Sequence, residues 1–231
     1  MAYNFSPKIV TDGLVLYLDA ANTRSYPRTG TTWSDISRGG YTGTLENFNN
    51  PSTQTIFDPA NGGSIIFDGT DDWVNSGTQI LKGLQEFTIN LWFFTSTLTG
   101  TLLSEGASSN VGVQFWLGAG VNNTILQFGD GTNDSYFNSK ITLQQNVWVN
   151  LCFTVKNKTG TSYINSVYQN AWTNTNNISW AGTTGTFRLG CRENISTFTN
   201  SRIAITQLYN RALSSTEIQQ NYNATKPRFG L

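Results

Sequence analysis

Apolar and polar residues alternate along much of this chain, which is the pattern of β-strands that bury one face. The stretch FTINLWFF is the clearest example, because residues 87, 89, 91 and 93 would share one apolar face, with Trp92 on the other. Similar runs occupy residues 13–19, 63–67, 111–117, 124–128, 135–137, 148–155, 187–191 and 202–209. The sequence therefore predicts a large, mostly β domain.

One helical signal lies near the C-terminus. Residues 201–206 alternate like a strand, with Ile203 and Ile205 on one face. Ser214 is followed three residues later by Glu217, which is the spacing of a capping box at a helix N-terminus. A short helix is marginal alone, so the helix predicted over residues 214–221 must dock on the strands. The tail, residues 226–231, is predicted to be non-helical.

Five segments resemble one family, in the same order along the chain. They are LYLDAANTRSYPRTGTTWSDIS, GSIIFDGTDDWV, FTINLWFF, WVNLCFTV and YNRALSSTEIQQNYNA. Together they resemble laminin-G-like domains of the concanavalin A-like lectin/glucanase superfamily, and the first resembles the opening of such domains in bacteriophage virion proteins. The resemblance implies an all-β jelly-roll sandwich of two antiparallel sheets with one short C-terminal helix.

The predicted organisation is an N-terminal arm over residues 1–12, one sandwich over 13–225, and a C-terminal tail over 226–231. A single domain of this size fits the chain length of 231 residues. The long loop at residues 20–40 needs an anchor, and Trp33 is predicted to provide it. The family's YVNG hairpin reads YINS at residues 163–166, so a longer turn is predicted because Ser166 adopts a positive φ less readily than glycine.

Composition excludes several classes of function. Charged residues make up 12% of the chain, with 14 basic against 14 acidic, and this balance argues against binding to nucleic acid or to an anionic membrane. Histidine is absent, which removes His-based triads and metal sites. Residues 1–4 lack the basic start of a secretory signal, and no apolar run is long enough to span a bilayer. Cys152 and Cys191 are therefore predicted to be buried free thiols.

The candidate catalytic and metal residues are carboxylates. Glucanases of the superfamily place two carboxylates on one strand, and no such spacing occurs here, since the adjacent Asp71 and Asp72 would point to opposite faces of a strand. The chain is therefore expected not to be an enzyme. Asp130 and Asp134 are candidate calcium ligands, with a hairpin turn as the alternative. Asp68, Asp71 and Asp72 have the same two interpretations, as residues that cap a turn or as metal ligands.

Aromatic and amide side chains in predicted loops could bind a sugar, because sugar rings stack on aromatic faces. The candidate glycan-binding residues are Trp73, Asn133, Tyr136, Trp172, Asn174, Asn176 and Trp180. The alternative is that the tryptophans pack within the sandwich. Trp92, Trp116 and Trp148 are assigned to packing.

The expected function is that of a non-enzymatic bacteriophage virion protein in a capsid, neck, tail or fibre, with glycan binding at exposed loops. Expected partners are other virion proteins, further copies of the chain and a host surface glycan. The candidate assembly residues are Tyr3, Phe5, Phe229 and Leu231, which lie near the two termini. A carbohydrate-binding module of a cellular protein is the alternative, and a glycoside hydrolase is the third possibility.

Overall fold

Two stacked antiparallel sheets and one short C-terminal helix make up this computed structural model, which confirms the predicted jelly-roll fold. The structure describes residues 7–48, 52, 54–106, 111–118, 124–129, 136–138, 141–174 and 176–231. Within those ranges, no helix is long and apolar enough to cross a membrane.

The strands follow one another closely along the chain. In order they are β1 (Leu14–Asp19), β2 (Thr32–Ser34), β3 (Thr42–Glu46), β4 (Phe57–Asp58), β5 (Ser64–Asp68), β6 (Trp73–Asn75), β7 (Phe87–Thr95), β8 (Gly100–Glu105), β9 (Val113–Leu117), β10 (Thr124–Phe128), β11 (Tyr136–Asn138), β12 (Trp148–Lys156), β13 (Thr159–Ile164), β14 (Val167–Thr173), β15 (Arg188–Leu189) and β16 (Asn200–Tyr209). Sheet A runs β14-β13-β12-β7-β16-β5-β4, with β1 also paired to β16, and sheet B runs β11-β10-β9-β8-β15-β6-β3-β2.

The main core lies between the two sheets and follows the predicted alternation. The apolar residues at 87, 89, 91 and 93 of β7 all belong to it, whereas Trp92 lies on the outer face of sheet A. From sheet B, Phe115 meets Phe153 of β12 with ring centroids 5.0 Å apart. Trp33 is fully buried in the same core and anchors the loop that follows β1, as predicted.

A β-bulge in β16 changes which side chains face the core. Ile203 pairs with Phe93 and lies in the main core, but the register then shifts, and Ile205 pairs with Trp92. The extra residue, Ala204, turns Ile205 to the outer face of sheet A. The prediction that Ile203 and Ile205 share one face is therefore wrong, since it assumed an unbroken strand.

The predicted helix is confirmed as α1 (Ser215–Thr225), together with its capping box. The Glu217 amide donates to Oγ of Ser214 at 3.3 Å, and the Ser214 amide donates to the Glu217 carboxylate at 2.8 Å. Arg211 binds the same carboxylate at 2.6 Å, and this bond holds the pKa of Glu217 down to about 2. The helix start is therefore fixed by side chains close to it in sequence.

The helix and the tail dock on the outer face of sheet A through Trp92. The indole Nε1 of Trp92 donates to Oγ1 of Thr225 at 2.8 Å. Its ring stacks on Tyr222, with centroids 5.7 Å apart, and on Phe229, with centroids 4.0 Å apart. The tail forms a 3-10 turn at Lys226–Phe229, so the prediction of a non-helical tail is wrong. The tail is held in this turn by its contact with Trp92, and the tail sequence alone does not indicate that contact.

The described part of the N-terminal arm covers the neighbouring part of the same face. The Val10 amide donates to Oδ1 of Asn221 at 2.8 Å, and the Tyr209 hydroxyl donates to the Val10 carbonyl at 3.0 Å. Val10 also packs in a small cluster with Leu213 and Ile218. Sheet A is thus covered on its outer side by both ends of the chain.

Two local features complete the fold. The YINS hairpin is a two-residue turn, with φ of 50° at Asn165 and 65° at Ser166, so the prediction of a longer turn is wrong. Both residues adopt the left-handed conformation that this tight turn requires. Cys152 and Cys191 are both buried free thiols, and burial raises the pKa of each.

The predicted assembly residues differ in their surroundings. The sandwich itself holds Phe229, whose exposed fraction is 7%, whereas Leu231 is 51% exposed. Tyr3 and Phe5 lie outside the described residues. A role in assembly stays a prediction for these residues.

Replacing Phe229 tests whether the tail stabilises the sandwich. Phe229→Ala should lower the free energy of unfolding by about 3 kcal/mol, because the ring is buried against Trp92 and its loss leaves a cavity. Leu231→Ala, at the exposed end of the same tail, should change it by less than about 0.5 kcal/mol. Urea unfolding followed by tryptophan fluorescence measures both values. Equal effects of the two substitutions would contradict this account.

Candidate functional site

A cleft of about 750 Å³ lies beside β1 and is the best-formed candidate site in the described structure. Leu14 and Tyr17 of β1 line it, together with Ile9 and Thr11 of the arm. Asp12 and Gly13, directly before β1, also line it, and the remaining residues belong to the turn after β1 and to the loop between β2 and β3. We call this feature the β1 cleft.

Asp35 shapes the wall of the β1 cleft. Its Oδ1 accepts the amides of Tyr17 and Ser37, each at 2.8 Å. Its Oδ2 accepts the Ser37 hydroxyl at 2.8 Å and the Gly40 amide at 2.9 Å. One carboxylate therefore ties the loop at residues 35–40 to β1, and its lone pairs are used by the loop.

The β1 cleft combines an aromatic residue with hydrogen-bonding groups. Tyr17 is half-buried, and burial together with the neighbouring Asp19 raises the pKa of its phenol. Asn22 and Ser37 contribute an amide and a hydroxyl, and Arg24 and Arg38 contribute guanidinium groups. An apolar surface with a few polar groups is typical of small-molecule and sugar sites. None of these residues is among those predicted from the sequence, although two arginines in a long loop of a charge-poor chain were an available signal.

Most of the predicted glycan-binding aromatics are packed against the sandwich. Trp172 is half-buried, and its ring lies on the backbone of Gly160, where an added Cβ would be 2.0 Å from the ring. Its Nε1 donates to Oδ1 of Asn174 at 3.1 Å, so these two predicted residues do lie together. Trp180 is also half-buried, and its Nε1 donates to the Leu84 carbonyl at 3.1 Å.

The structure brings part of the predicted loop set to one end of β10. Trp172 packs on Phe128, with ring centroids 5.1 Å apart, and the Ser179 amide donates to the Gly129 carbonyl at 2.8 Å. Asn176 is exposed in the segment between them. Asn133 lies outside the described residues, as do the calcium candidates Asp130 and Asp134. Tyr136 begins β11, where its backbone pairs with Gln127.

Trp73 lies apart from that group. It sits on β6 of sheet B with an exposed fraction of 9%, and the guanidinium of Arg188 lies 5.0 Å from its ring centroid. Three strands separate β6 from β10 in sheet B, which corresponds to roughly 19 Å at the usual strand spacing. Glycan binding stays a prediction for all these residues, but Trp73 and the loop residues do not form one site.

Trp116 was assigned to packing, and the structure places it partly in solvent. It is 36% exposed on β9, on the face opposite the core residues Val113 and Phe115. It lines a shallow depression of about 480 Å³ with Thr99 and Phe198. The strand alternation indicated its outward direction correctly, but it did not show whether another segment covers that face.

Comparison with known families and structures agrees with this architecture. A family model described as Laminin_G_3, concanavalin A-like lectin/glucanases superfamily, matches residues 68–219. The chain belongs to this family. No curated protein sequence matches the chain.

Several solved structures share the fold of this Laminin_G_3 domain. Domain 4 of AbnA, a GH43 extracellular arabinanase from Geobacillus stearothermophilus solved with arabinotriose, is 20% identical with a TM-score of 0.69, over 93% of this chain and 100% of that one. Botulinum neurotoxin type C, whose cell entry depends on two ganglioside molecules, is 12% identical with a TM-score of 0.64, over 94% of this chain and 52% of that one. A Trypanosoma rangeli sialidase mutant is 16% identical with a TM-score of 0.64, over 96% of this chain and 34% of that one. At these identities the likeness concerns the fold.

The Laminin_G_3 domain also carries a cluster of three carboxylates, from Asp68, Asp71 and Asp72, in the connection between β5 and β6. One ligand oxygen from each lies within 4.8 Å of the others. The prediction that Asp71 and Asp72 point to opposite faces is wrong, because Asp71 lies in a turn rather than on a strand. The three acids therefore converge.

Asp72 is the unusual member of the cluster. It is fully buried, and its Oδ2 accepts the Asp68 amide at 2.8 Å and the Gln54 side chain, while its Oδ1 has no hydrogen-bond partner. The pKa of Asp72 is raised to about 6, chiefly by burial and also by the charges of Asp68 and Asp71, against the effect of the two hydrogen bonds. A buried carboxylate oxygen without a partner fits a cation ligand, because hard cations prefer such oxygens.

The raised pKa of Asp72 makes stability depend on pH. The stabilising contribution of the protonated folded state is fully present below the usual value of 3.8 and is lost as the pH rises through about 6. In the presence of a chelator, the free energy of unfolding should fall by on the order of 2 kcal/mol across this window. Urea unfolding at a series of pH values measures the change.

Asp72→Asn is the control for this pH dependence. Glu105 is also buried, and its pKa is raised to about 7, so it too lowers the free energy of unfolding as the pH rises. Glu105 remains in the variant. The difference between the two proteins therefore isolates Asp72. A decline of equal size in both would rule Asp72 out as its source.

Proposed function

We propose that this Laminin_G_3 domain is a non-enzymatic bacteriophage virion protein that binds a glycan in the β1 cleft. The observation that carries the glycan part is the combination in that cleft of Tyr17 with the side chains of Asn22 and Ser37. Sugars present apolar ring faces and many hydroxyl groups, so an aromatic residue beside amide and hydroxyl groups matches them. Arabinotriose and gangliosides are named with domains of the same fold, which supports this class of ligand.

The virion part rests on the sequence. Residues 14–37 resemble the opening of sandwich domains in phage virion proteins, and the polar residues are mainly uncharged. The exposed Leu231 is available to other virion proteins or to further copies of the chain. A carbohydrate-binding module of a cellular protein is the alternative. Detection of the chain in purified particles by mass spectrometry supports the virion proposal, and its absence from them contradicts it.

The non-enzymatic part concerns the three converging carboxylates. A retaining glycosidase needs two carboxylates about 5 Å apart that both reach the sugar. Asp72 is fully buried and offers no oxygen to a substrate, although Asp68 and Asp71 are only half-buried. Incubation with arabinan, laminarin and alginate should release no reducing ends. Release that is lost in an Asp68→Asn, Asp71→Asn double variant would establish the hydrolase alternative.

The binding site can be tested with two matched pairs of substitutions. The double variant Asn22→Ala, Ser37→Ala should weaken binding to the glycan that a wild-type array screen identifies by about tenfold or more, because it removes polar groups of the cleft together with the bonds by which they hold its loops. The double variant Asn174→Ala, Asn176→Ala, in the predicted loop set, should bind like the wild type. Biolayer interferometry measures both. Loss of binding only in the second variant would assign the glycan to the loops instead.

We also propose that Asp68, Asp71 and Asp72 hold a calcium ion. Carboxylate oxygens are the ligands that calcium prefers, and Oδ1 of Asp72 is buried without a hydrogen-bond partner. A bound cation would offset the repulsion among the three acids, which the fold otherwise has to bear.

Calcium should therefore raise the melting temperature of the wild type, and magnesium should do so less, because it demands a smaller octahedral site. The rise should disappear in Asp72→Asn and persist in the double variant Asp130→Asn, Asp134→Asn, which removes the other candidate ligands. Differential scanning fluorimetry measures the melting temperature of each protein with and without calcium. A rise that survives in Asp72→Asn would contradict the proposed site.

A further inference from the structure

We propose that the ligand of the β1 cleft is an acidic sugar whose carboxylate binds between Arg24 and Arg38. This inference rests on the proposed glycan function and adds the chemical class of the ligand. It depends on the charges that line the cleft, on how they are paired, and on what fixes the backbone beside them.

The two arginines of the cleft have no carboxylate partner within the described residues. Neither guanidinium takes part in an ion pair or a hydrogen bond there, and both side chains are exposed. Other arginines of the chain are used by the fold: Arg211 binds Glu217 and Arg228 binds Asp19, each at 2.6 Å. The positive charge at the cleft is therefore available to a ligand.

The nearby acids are not paired with either arginine. Asp12 lines the cleft, but its Oδ2 lies 2.9 Å from Nε of Arg211 and is paired with it. Asp35 accepts hydrogen bonds from the loop through both of its oxygens. The arm residues that precede the described ones, 1–6, contain no acidic residue in their sequence. A ligand in this cleft thus meets two guanidinium groups that have no carboxylate partner within the described residues, which favours an anionic group.

The loops hold the backbone of both arginines in place. Oδ1 of Asn22 accepts the Arg24 amide at 3.0 Å, which fixes the turn that carries Arg24. On the other wall, Ser37 is bound to Asp35 through its amide and its hydroxyl, and it directly precedes Arg38. Positioned arginines recognise carboxylates well, because the planar guanidinium offers two parallel N–H groups to the two oxygens.

The neutral groups account for the remainder of the ligand. Tyr17 offers part of an aromatic ring, and Asn22 offers the NH2 group of its side chain, since its Oδ1 accepts the Arg24 amide. A volume of about 750 Å³ accommodates more than one sugar unit but no folded partner. The combination of a sugar-like surface with two unpaired arginines therefore favours a uronic acid or another carboxylate-bearing sugar over a neutral one.

The test compares saccharides that differ only in their carboxylates. Polygalacturonate is measured against its carboxyl-reduced form, and sialyllactose against its own carboxyl-reduced form, by isothermal titration calorimetry with the full chain. At least one acidic ligand should bind about tenfold or more tightly than its neutral counterpart, and the preference should weaken as salt is added. A sulfated galactan serves as a third arm, because sulfate carries charge without the planar geometry of a carboxylate.

The double variant Arg24→Gln, Arg38→Gln should lose the preference while it keeps the weaker binding of the neutral form. The control, Lys156→Gln with Arg192→Gln, removes the same charge elsewhere and should keep the preference. Equal binding of the acidic and neutral forms, stronger binding of the sulfated polymer, or a preference that survives in the arginine variant would each overturn this inference and leave the glycan function standing. Failure of the wild type to bind any glycan on a broad array, acidic or neutral, would overturn the proposed function itself.

Discussion

The stacking of Phe229 and Tyr222 on Trp92 is the interaction on which the rest of the structure depends. It holds the helix and the tail against sheet A, and the indole bond to Thr225 fixes their position along the strand. Once the tail is placed, Arg228 reaches Asp19 at the end of β1. Tyr17 packs against the same cluster, so one wall of the β1 cleft is supported by the end of the chain. The candidate site is thus built on the closure of the sandwich by its C-terminus.

The bulge in β16 makes this closure possible. A regular strand would send Ile205 into the main core, where Ile203 already packs. The extra residue at Ala204 places two successive apolar side chains on the outer face, beside Trp92. That outer face also holds a buried row of amides, in which Asn150 donates to Asn90 and Asn90 donates to Gln207. The face is therefore apolar at one end, where the tail docks, and hydrogen-bonded next to it.

The features that were predicted correctly are those that depend on interactions between residues close together in sequence. The alternation in β7 and the capping box at Ser214 act over a few residues, and both appear as expected. The bulge at Ala204 and the 3-10 turn of the tail depend on partners far away in sequence. The order of apolar and polar residues within a short segment carries no information about such partners. The β1 cleft was missed for the same reason, since its walls come from separate segments. Trp73 likewise packs against a distant residue, since the guanidinium of Arg188, more than a hundred residues away, lies near its ring.

The charges of this chain divide into two groups with different consequences. Arg202 and Asp58 are paired at 2.6 Å, as are Arg211 and Glu217, and such pairs stabilise the fold locally. The second group consists of the three converging acids at residues 68–72 and the two arginines of the β1 cleft, which have no carboxylate partner within the described residues. These two places stand out in a chain with only 12% charged residues. The calcium proposal and the acidic-sugar proposal each supply the opposite charge at one of them, a cation at the acids and an anion at the arginines.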